Sequence, residues 1–520
     1  MPYIAGVEVD QRQNFIQQAD TLREMVGASR MIEYSVQIAE EELKGSTAVK
    51  LFWPVSGVLR FYAEDAAKLG AFLTWYCRQL ENVSLSASVG LMKCSANFDD
   101  DLRDLDRRVR KRKDAKSAAL ALPSLPFFAP CSILPHLPAN HWSLSGTAQR
   151  KLRSWQAKVR EEFRNQFRNQ PIFGLRIPQG ELPELDDLAP QESDSFIGLL
   201  KGDLDGLGKL LASLRFVDLA KVPELRGSLR RDLPPAAAAA DVFCRALEGV
   251  VKLSILEAYE HVYPPSKRKW GETWPFLHLI VAGDDVLILS RRDLALELAF
   301  QIGIRFAGNV ENDAVVQAAL RSAGIADQPT ISFGVLFMKV GYPFDASFDL
   351  AEELLHSAKK GRSESPKDLI GGFMDYHWLG DSARPGLAAT RNSQQYYRDD
   401  SDKPMWLTTR PWGISKLDQY IGSARDFRLL PRRKIKQLDE ISRLGKELSD
   451  LAFQGWWSRL REEEKRAVND ALARIAWEET NATHPAFWRE VTRRDEMGNN
   501  QTGFETCFLD LVEVTEVLGQ

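Results

Sequence analysis

The feature that most constrains this chain is an order of apolar runs that occurs twice. From Tyr3 it reads as a strand (YIAGVEVD), a long helical pattern from Phe15 to Leu43, and two apolar runs, AVKLFWPV and GVLRFYAE, meeting at Ser56-Gly57. A helical pattern from Ala66 to Leu80 and the strand VSLSASVGLM complete the set. Apolar alternation on both sides of a short polar-glycine junction predicts a hairpin, and apolar positions three and four apart predict helices. From Ser195 the order returns. FIGLLKGDLDG is a strand with its exit, and helices follow, including an alanine-rich one from Pro235 to Tyr259. LHLIVAGDDVLILS then reads as a hairpin, Leu294 to Gly308 as a helix, TISFGVLFMK as a strand, Phe348 to Lys360 as a helix and LIGGFMDYHW as a closing strand. Strand, helix, hairpin, helix, strand predicts a ferredoxin-like unit whose sheet is covered on one face by helices. The expected class is therefore α+β, with two copies of one architecture and no obvious residue identity between them.

A chain of 520 residues has room for more than these two units. Four regions are expected: a first unit over 1–98, a connecting region over 99–193, a second unit over 194–380 and a helical C-terminal domain over 381–520. The connecting region reads as a basic helix, the proline-rich loop ALPSLPFFAPCSILPHLPANHW, a second basic helix and an acidic linker from Pro178 to Ser193. In the last region a polar loop is expected as far as Met405, followed by one long amphipathic stretch from Lys434 to Trp477, broken near Gly455.

Composition narrows the function classes. The formal net charge is -4, so nucleic acid is not held by bulk charge. Local patches are the candidates: Arg107 to Lys116, Arg150 to Arg168 and Arg425 to Lys436, each of which also fits a solvated helix face. No run of eighteen uncharged apolar residues is present, so a membrane span is not expected. The start, MPYIAGVEVDQRQ, lacks a basic region before an apolar core, so no secretory signal is read. Cys77, Cys94, Cys131, Cys244 and Cys507 form no C-x-x-C pair, which argues against a zinc ribbon or disulfide framework and fits a reducing cytoplasm.

The chemistry concentrates in the second unit. Asp203 and Asp205 are two apart, and on a strand that spacing points both side chains to one face. Asp284 and Asp285 follow Ala282-Gly283 at a hairpin tip, where glycine permits backbone angles that other residues resist. If the two strands lie side by side, three or four carboxylates converge, a set of hard oxygen ligands suited to Mg²⁺ or Mn²⁺. Asp203 and one of Asp284 and Asp285 are assigned as bridging ligands, with the carbonyl of Leu204 as a further one. Such a metal pair serves phosphoryl transfer by activating an attacking hydroxyl and steadying a triphosphate. Asp-Gly and Gly-Asp are also ordinary turn dipeptides. The occurrence of both motifs, in order and flanked by apolar strands, favours the metal reading. Lys359, Lys360 and Arg362 end the helix AEELLHSAKKGR; they fit a triphosphate, or the dipole of that helix end. GDLDGLGK is not a P-loop, because five residues separate Gly202 from Gly208 and Leu210 follows Lys209.

GDLDGLGKL, AGDDVLIL, TISFGVLF, AEELLHSAKKGR and GGFMDYHW together resemble the second Palm domain of the large subunit of type III CRISPR effector complexes, a relative of GGDEF diguanylate cyclases. The run from Tyr3 to Tyr34 is similar to the opening of that subunit's first Palm domain. The resemblance implies cyclic oligoadenylate synthesis from ATP in antiviral defence, with metal-binding aspartates at Asp203, Asp284 and Asp285. It implies a non-catalytic first Palm that holds the acceptor nucleotide, and its hairpin, Val55-Ser56-Gly57, carries no carboxylate. Leu204, Asp205, Gly206, Gly283, Lys359 and Lys360, with Ser56 and Gly57, form the expected nucleotide-binding set. The implied partners are ATP and either RNA or CRISPR effector subunits. The sequence departs from the family in four ways. AGDD stands for the usual GGDD, the AK-x-x-GR pattern is one residue short, and neither the zinc cysteines nor any His-Asp dipeptide is present. No single-stranded DNA cleavage is therefore expected.

Three rival readings follow from the same residues. One is a non-catalytic Palm scaffold for RNA or partner subunits, disfavoured by carboxylates that repel without a cation. The others are a template-directed polymerase, whose upstream aspartates are more widely spaced, and a diguanylate cyclase, which needs guanine-reading residues.

Overall fold

A computed structural model describes residues 2–10, 12, 15, 22–55, 57–83, 85–117, 186–189, 195–267, 274–364, 371–379, 386–398, 403–477, 484–494 and 499–519. Ser56, Cys131, the proline-rich loop and the basic patch Arg150 to Arg168 lie outside the described residues.

The first unit follows the expected order: β1 (Tyr3–Val9), α1 (Leu22–Leu43), β2 (Val49–Val55), β3 (Val58–Ala63), α2 (Ala66–Asn82) and β4 (Ala87–Lys93). The sheet order is β2-β3-β1-β4 with all neighbours antiparallel, the ferredoxin-like arrangement. Alternation along β1 explains how it is covered. Ala5, Val7 and Val9 join a core with Leu69, Leu73 and Tyr76 of α2. Ile4, on the opposite face, joins Leu102, Leu105 and Val109 of α3 (Phe98–Ser117). The sheet is thus covered on both faces rather than one. Gly6 and Gly90 permit this, since a Cβ at Gly90 would come within 2.8 Å of Val109.

The second unit holds the same core with two added strands. Its sheet runs β12-β9-β8-β5-β7-β6. The strands are β5 (Phe196–Asp205), β6 (Phe276–Ala282), β7 (Asp285–Arg291), β8 (Thr330–Lys339) and β9 (Phe373–Trp378), with the two-residue β12 (Trp412–Gly413) at the edge. After β5 comes α4 (Leu207–Ser213), then the alanine-rich α5 (Pro235–Val262). Helix α6 (Arg292–Asn312) follows the hairpin, α7 (Ala314–Ala323) precedes β8, and α8 (Phe344–Glu364) crosses from β8 to the parallel β9.

The two units share a core. Ala236 to Ala240 of α5 are buried, and small side chains there let this helix lie across β2. Arg230 Nη1 donates to the Leu51 carbonyl at 2.7 Å, and Ser29 Oγ donates to the Leu279 carbonyl. Trp53 meets Phe216 edge to face at 5.7 Å.

The C-terminal part is mainly helical: α9 (Leu387–Gln394), α10 (Ile414–Phe427), α11 (Arg432–Ser442), α12 (Lys446–Ser458), α13 (Glu462–Arg474) and α14 (Phe508–Val517). It departs from the sequence reading in three places. The expected loop before Met405 contains α9 and the strand β10 (Tyr396–Arg398). The amphipathic stretch breaks at 443–445 and 459–461, not at Gly455, which is helical; Gly445, with φ +80°, makes the first break. A small sheet, β10-β11-β14-β13, is added, with β11 at Pro404–Trp406, β13 at Arg489–Arg494 and β14 at Asn500–Glu505. The charged strand β13 is stable there because Arg489 and Arg493 stack on Trp477 and Trp406 and pair with Glu505. This part is tied to the second unit through Arg410, wholly buried, whose Nη1 donates to the Tyr376 carbonyl at 2.6 Å.

Cys94, Cys244 and Cys507 are buried and unbridged, as small apolar residues are. Among the described residues, no helix is long and apolar enough to cross a membrane.

Candidate active site at the exit of the central strand

Strand β5 is the axis of the site. One edge pairs with β8, placing Asp203 opposite Ser332 and Asp205 opposite Thr330. The other edge pairs with β7 as far as Gly202 opposite Val286, so the next step brings Asp203 beside Asp285. Residues facing each other across an antiparallel ladder have Cβ atoms about 5 Å apart. Even-numbered positions of β5 face α6: a Cβ on Gly198 would lie 2.5 Å from Ala295. Odd-numbered positions face α8, and they run Ile197, Leu199, Lys201, Asp203, Asp205.

The hairpin tip completes the group. Gly283 has φ +66°. A Cβ there would sit 3.2 Å from Val55 at the end of β2, so the tip abuts the hairpin of the first unit. Asp284 is pushed above the usual carboxylate range by burial first, then by the charges of Asp203 and Asp285, with Arg12 of the first unit opposing. Asp203 is raised too, by burial, against hydrogen bonding and charge from Lys359, with Asp285 adding repulsion. Asp203, Asp284 and Asp285 therefore lie within one another's fields, as their spacing on strand and hairpin predicts.

Asp205 does not join them. Its Oδ2 accepts from Thr330 Oγ1 at 2.8 Å and Ser332 Oγ at 2.6 Å, and Ser332 Oγ in turn accepts from the Phe373 amide at 3.0 Å. Burial raises this carboxyl against those two hydrogen bonds. Asp205 thus ties β5 to β8 and β9. Of the three or four carboxylates expected to converge, Asp205 is engaged instead with β8, although D-x-D does place both side chains on one face.

Two lysines hold the other carboxylates. Lys359 Nζ bonds Asp203 Oδ2 and lies 3.4 Å from the Leu204 carbonyl. Lys201 Nζ donates to Asp285 Oδ1 at 2.9 Å and lies 5.2 Å from the centre of the Phe348 ring. Lys201 is 1% exposed. An unpaired charge so buried costs several kcal/mol, so the pair with Asp285 is what makes its position tolerable. The sequence reading missed Lys201, Arg12, Thr330 and Ser332. The one signal for Lys201 was a lysine at an inward-facing position of an apolar strand. Lys360 is exposed, and among the described residues it makes no ion pair. The charge of Arg362 acts on Asp205 against its burial. Gly206 takes φ +78° at the start of α4, and Gly57 takes φ +74° on the opposing hairpin.

Three carboxylates and the Leu204 carbonyl are hard oxygen donors of the kind Mg²⁺ and Mn²⁺ prefer. Among the described residues, however, no group of three or more acidic, histidine or cysteine side chains is drawn into a metal cage. The donors are of the chemical type a divalent ion takes, with Lys359 on Asp203 and Lys201 on Asp285 standing against two of the three carboxylates.

Comparison with known proteins agrees with this fold. Residues 196–370 match the family described as Cas10/Cmr2, second palm domain. A Csm1-Csm4 cassette in complex with cA4 is similar at a TM-score of 0.52 and 14% identity, covering 100% of this chain and 70% of that one. A Csm1-Csm4 cassette in complex with one ATP gives 0.50 and 14%, covering 91% and 69%. The apo Csm1-Csm4 cassette gives 0.42 and 17%, covering 69% of this chain, which spans 53% of that one. No curated protein matches the chain. At these identities the structural likeness establishes the fold, and the family match covers the segment that carries the aspartates. Residues 196–370 thus match a second palm domain of the Cas10/Cmr2 family, within an α+β chain whose fold is similar to that of the Csm1-Csm4 cassette structures.

Proposed function

We propose that this chain is a metal-dependent nucleotidyltransferase that makes a cyclic oligonucleotide, most simply an oligoadenylate, from ATP at the junction of its two palms. The observation that carries this reading is the meeting of Asp203, Asp284 and Asp285 at the exit of β5, directly against the hairpin of the first palm. Asp203, Asp284, Asp285 and the Leu204 carbonyl would hold Mg²⁺ or Mn²⁺. When bound, these ions supply neutralisation of the triphosphate and acidification of the attacking hydroxyl. The chain's own groups do the rest. Lys359 is 32% exposed on the end of a helix, so it can leave Asp203 and present its ammonium to phosphate oxygens. Gly283 and Gly57 give close backbone approach on the two opposing hairpins, where a donor and an acceptor nucleotide would face each other. A hydroxyl oxygen of one nucleotide would bond to the α-phosphorus of the other as the bond from that phosphorus to its bridging oxygen breaks, so that pyrophosphate leaves and the hydroxyl proton passes to water. Similar structures are of complexes with cA4 and with one ATP, which supports nucleotide use by this fold. Partnership with CRISPR effector subunits, cytoplasmic location and a role in antiviral defence belong to the same proposal.

One observation favours the scaffold reading. The carboxylates are not unpaired, because Lys201 and Lys359 already offset Asp285 and Asp203. The cluster therefore does not require a metal to offset its charge. Incubation with ATP and Mn²⁺, followed by mass spectrometry of the products, separates the two. A cyclic oligonucleotide made by the wild type and absent from Asp284→Ala/Asp285→Ala supports the enzyme. No pyrophosphate from the wild type, alone or with partner subunits and target RNA, leaves the scaffold.

A further inference from the structure

The two lysines at the site differ in kind. Lys359 is 32% exposed and its contact with Asp203 is exchangeable. Lys201 is 1% exposed, lies within the central strand, and is enclosed by Asp285 at 2.9 Å, the Phe348 ring at 5.2 Å and Glu352 at 3.9 Å. Strand pairing on both sides of β5 fixes its backbone, since Lys201 faces Leu287 on β7 and Gly334 on β8. The ammonium is thus held at Asp285 by a buried stem on a fixed strand, unlike that of the part-exposed Lys359.

We propose that Lys201 is a built-in counter-cation, a positioning residue that holds Asp285 in place and offsets one of the three carboxylate charges in every state of the site. This deepens, and rests on, the proposed metal-dependent reading. The physical basis is charge balance at short range. Three carboxylates in one another's fields repel strongly in a partly buried place, and the repulsion falls when one of them has a permanent partner. The same fixed charge also sets an upper limit on divalent-ion affinity, because the entering ion meets Lys201 across Asp285. A site arranged in this way keeps its shape without metal and releases metal readily, whereas three bare carboxylates would need the ion to fold around.

The test is thermal unfolding of the full chain with and without Mn²⁺, for wild type, Lys201→Met, Lys201→Arg and the double variant Lys201→Met/Asp285→Asn. Methionine keeps an unbranched stem for packing on Phe348 and removes the ammonium. Lys201→Met is expected to lower the metal-free Tm by several degrees, and the double variant to regain most of that loss. Mn²⁺ is expected to raise the Tm of Lys201→Met more than that of the wild type, corresponding to about tenfold tighter binding. Lys201→Arg should keep the wild-type response if it folds. Should Lys201→Met lose the same Tm with either residue at 285, and gain no more from Mn²⁺ than the wild type, Lys201 is a packing residue and the inference is overturned. A wild type whose Tm ignores Mn²⁺ instead overturns the metal reading. In that event the coupling between positions 201 and 285 alone decides the counter-cation.

Discussion

Substitution of Gly334 by alanine tests how α8, the helix that carries Lys359, is seated. Gly334 lies in the middle of β8, opposite Lys201, and α8 rests directly on it. A Cβ built there would stand 2.3 Å from the Ala351 carbonyl oxygen, 2.5 Å from the Leu355 amide nitrogen and 2.9 Å from the Leu354 Cβ. The first two are helix backbone and cannot rotate aside. Bringing the closest contact only to 3.0 Å requires an opening of 3.0 minus 2.3, or 0.7 Å. Overpacking by one methyl group costs about 1–3 kcal/mol, and a rigid backbone neighbour puts Gly334→Ala near the upper end. Typical domains have about 5–15 kcal/mol to lose, so the variant folds. Denaturant unfolding should show a lower midpoint with an unchanged slope. Because α8 carries Lys359, pyrophosphate release should fall further than the folded fraction does. Gly341→Ala is the control, with nothing within 4 Å of its Cβ and no positive φ, and should change stability by less than about 0.5 kcal/mol. A Gly334→Ala chain as stable as the control would refute the close seating of α8 on β8.

Three further outcomes are expected. Asp203→Asn, which keeps size and removes charge, should lower pyrophosphate release from ATP at least about a hundredfold while leaving far-UV circular dichroism unchanged; full activity would remove Asp203 from the site. Asp510→Ala should lower unfolding free energy by about 3–5 kcal/mol in denaturant titration. Asp510 is wholly buried and accepts from Thr408 Oγ1 and the Thr409 amide, each at 2.7 Å, and from Thr409 Oγ1 at 2.9 Å, beside the buried Arg410. Burial, followed by the charges of Arg410 and Arg391, pushes His377 down to about 3. It stays neutral in the fold while the unfolded chain takes up a proton below about pH 6.5. Its contribution is therefore complete above that pH and declines by about 1.4 kcal/mol per pH unit as pH falls toward 3. The difference in stability between wild type and His377→Gln should shrink by about 2.5 kcal/mol between pH 7 and pH 4.5, and a constant difference would count against a neutral buried imidazole.

The parts of the molecule legible in the sequence are those whose signal is local. The alternation of FIGLLKGDLDG and the hairpin around AGDD each lie within a few residues, so β5, β6 and β7 and the meeting of Asp203 with Asp284 and Asp285 follow from them. Partnerships across long separations were not legible. Thr330 and Ser332 reach Asp205 from more than a hundred positions away, and Lys201 looks like a surface lysine until Asp285 is seen beside it. Strand β13 was invisible for a different reason. Two of its three inward positions, Arg489 and Arg493, are arginines, and there the apolar alternation that marks a strand is replaced by guanidinium groups lying on tryptophan rings. The break expected at Gly455 failed because one exposed glycine costs a helix only about 1 kcal/mol, which packing of Trp456 and Phe453 exceeds.

The division of β5 between its two faces has a genetic consequence. Ionic and greasy side chains take turns along it, with Lys201, Asp203 and Asp205 interleaved with Leu200 and Leu204. Insertion or loss of one codon upstream in this strand would exchange the two sets, driving charges under α6 and leucines against α8. Length changes are therefore barred from β5, and a lineage can tune this chemistry only by replacing residues in place.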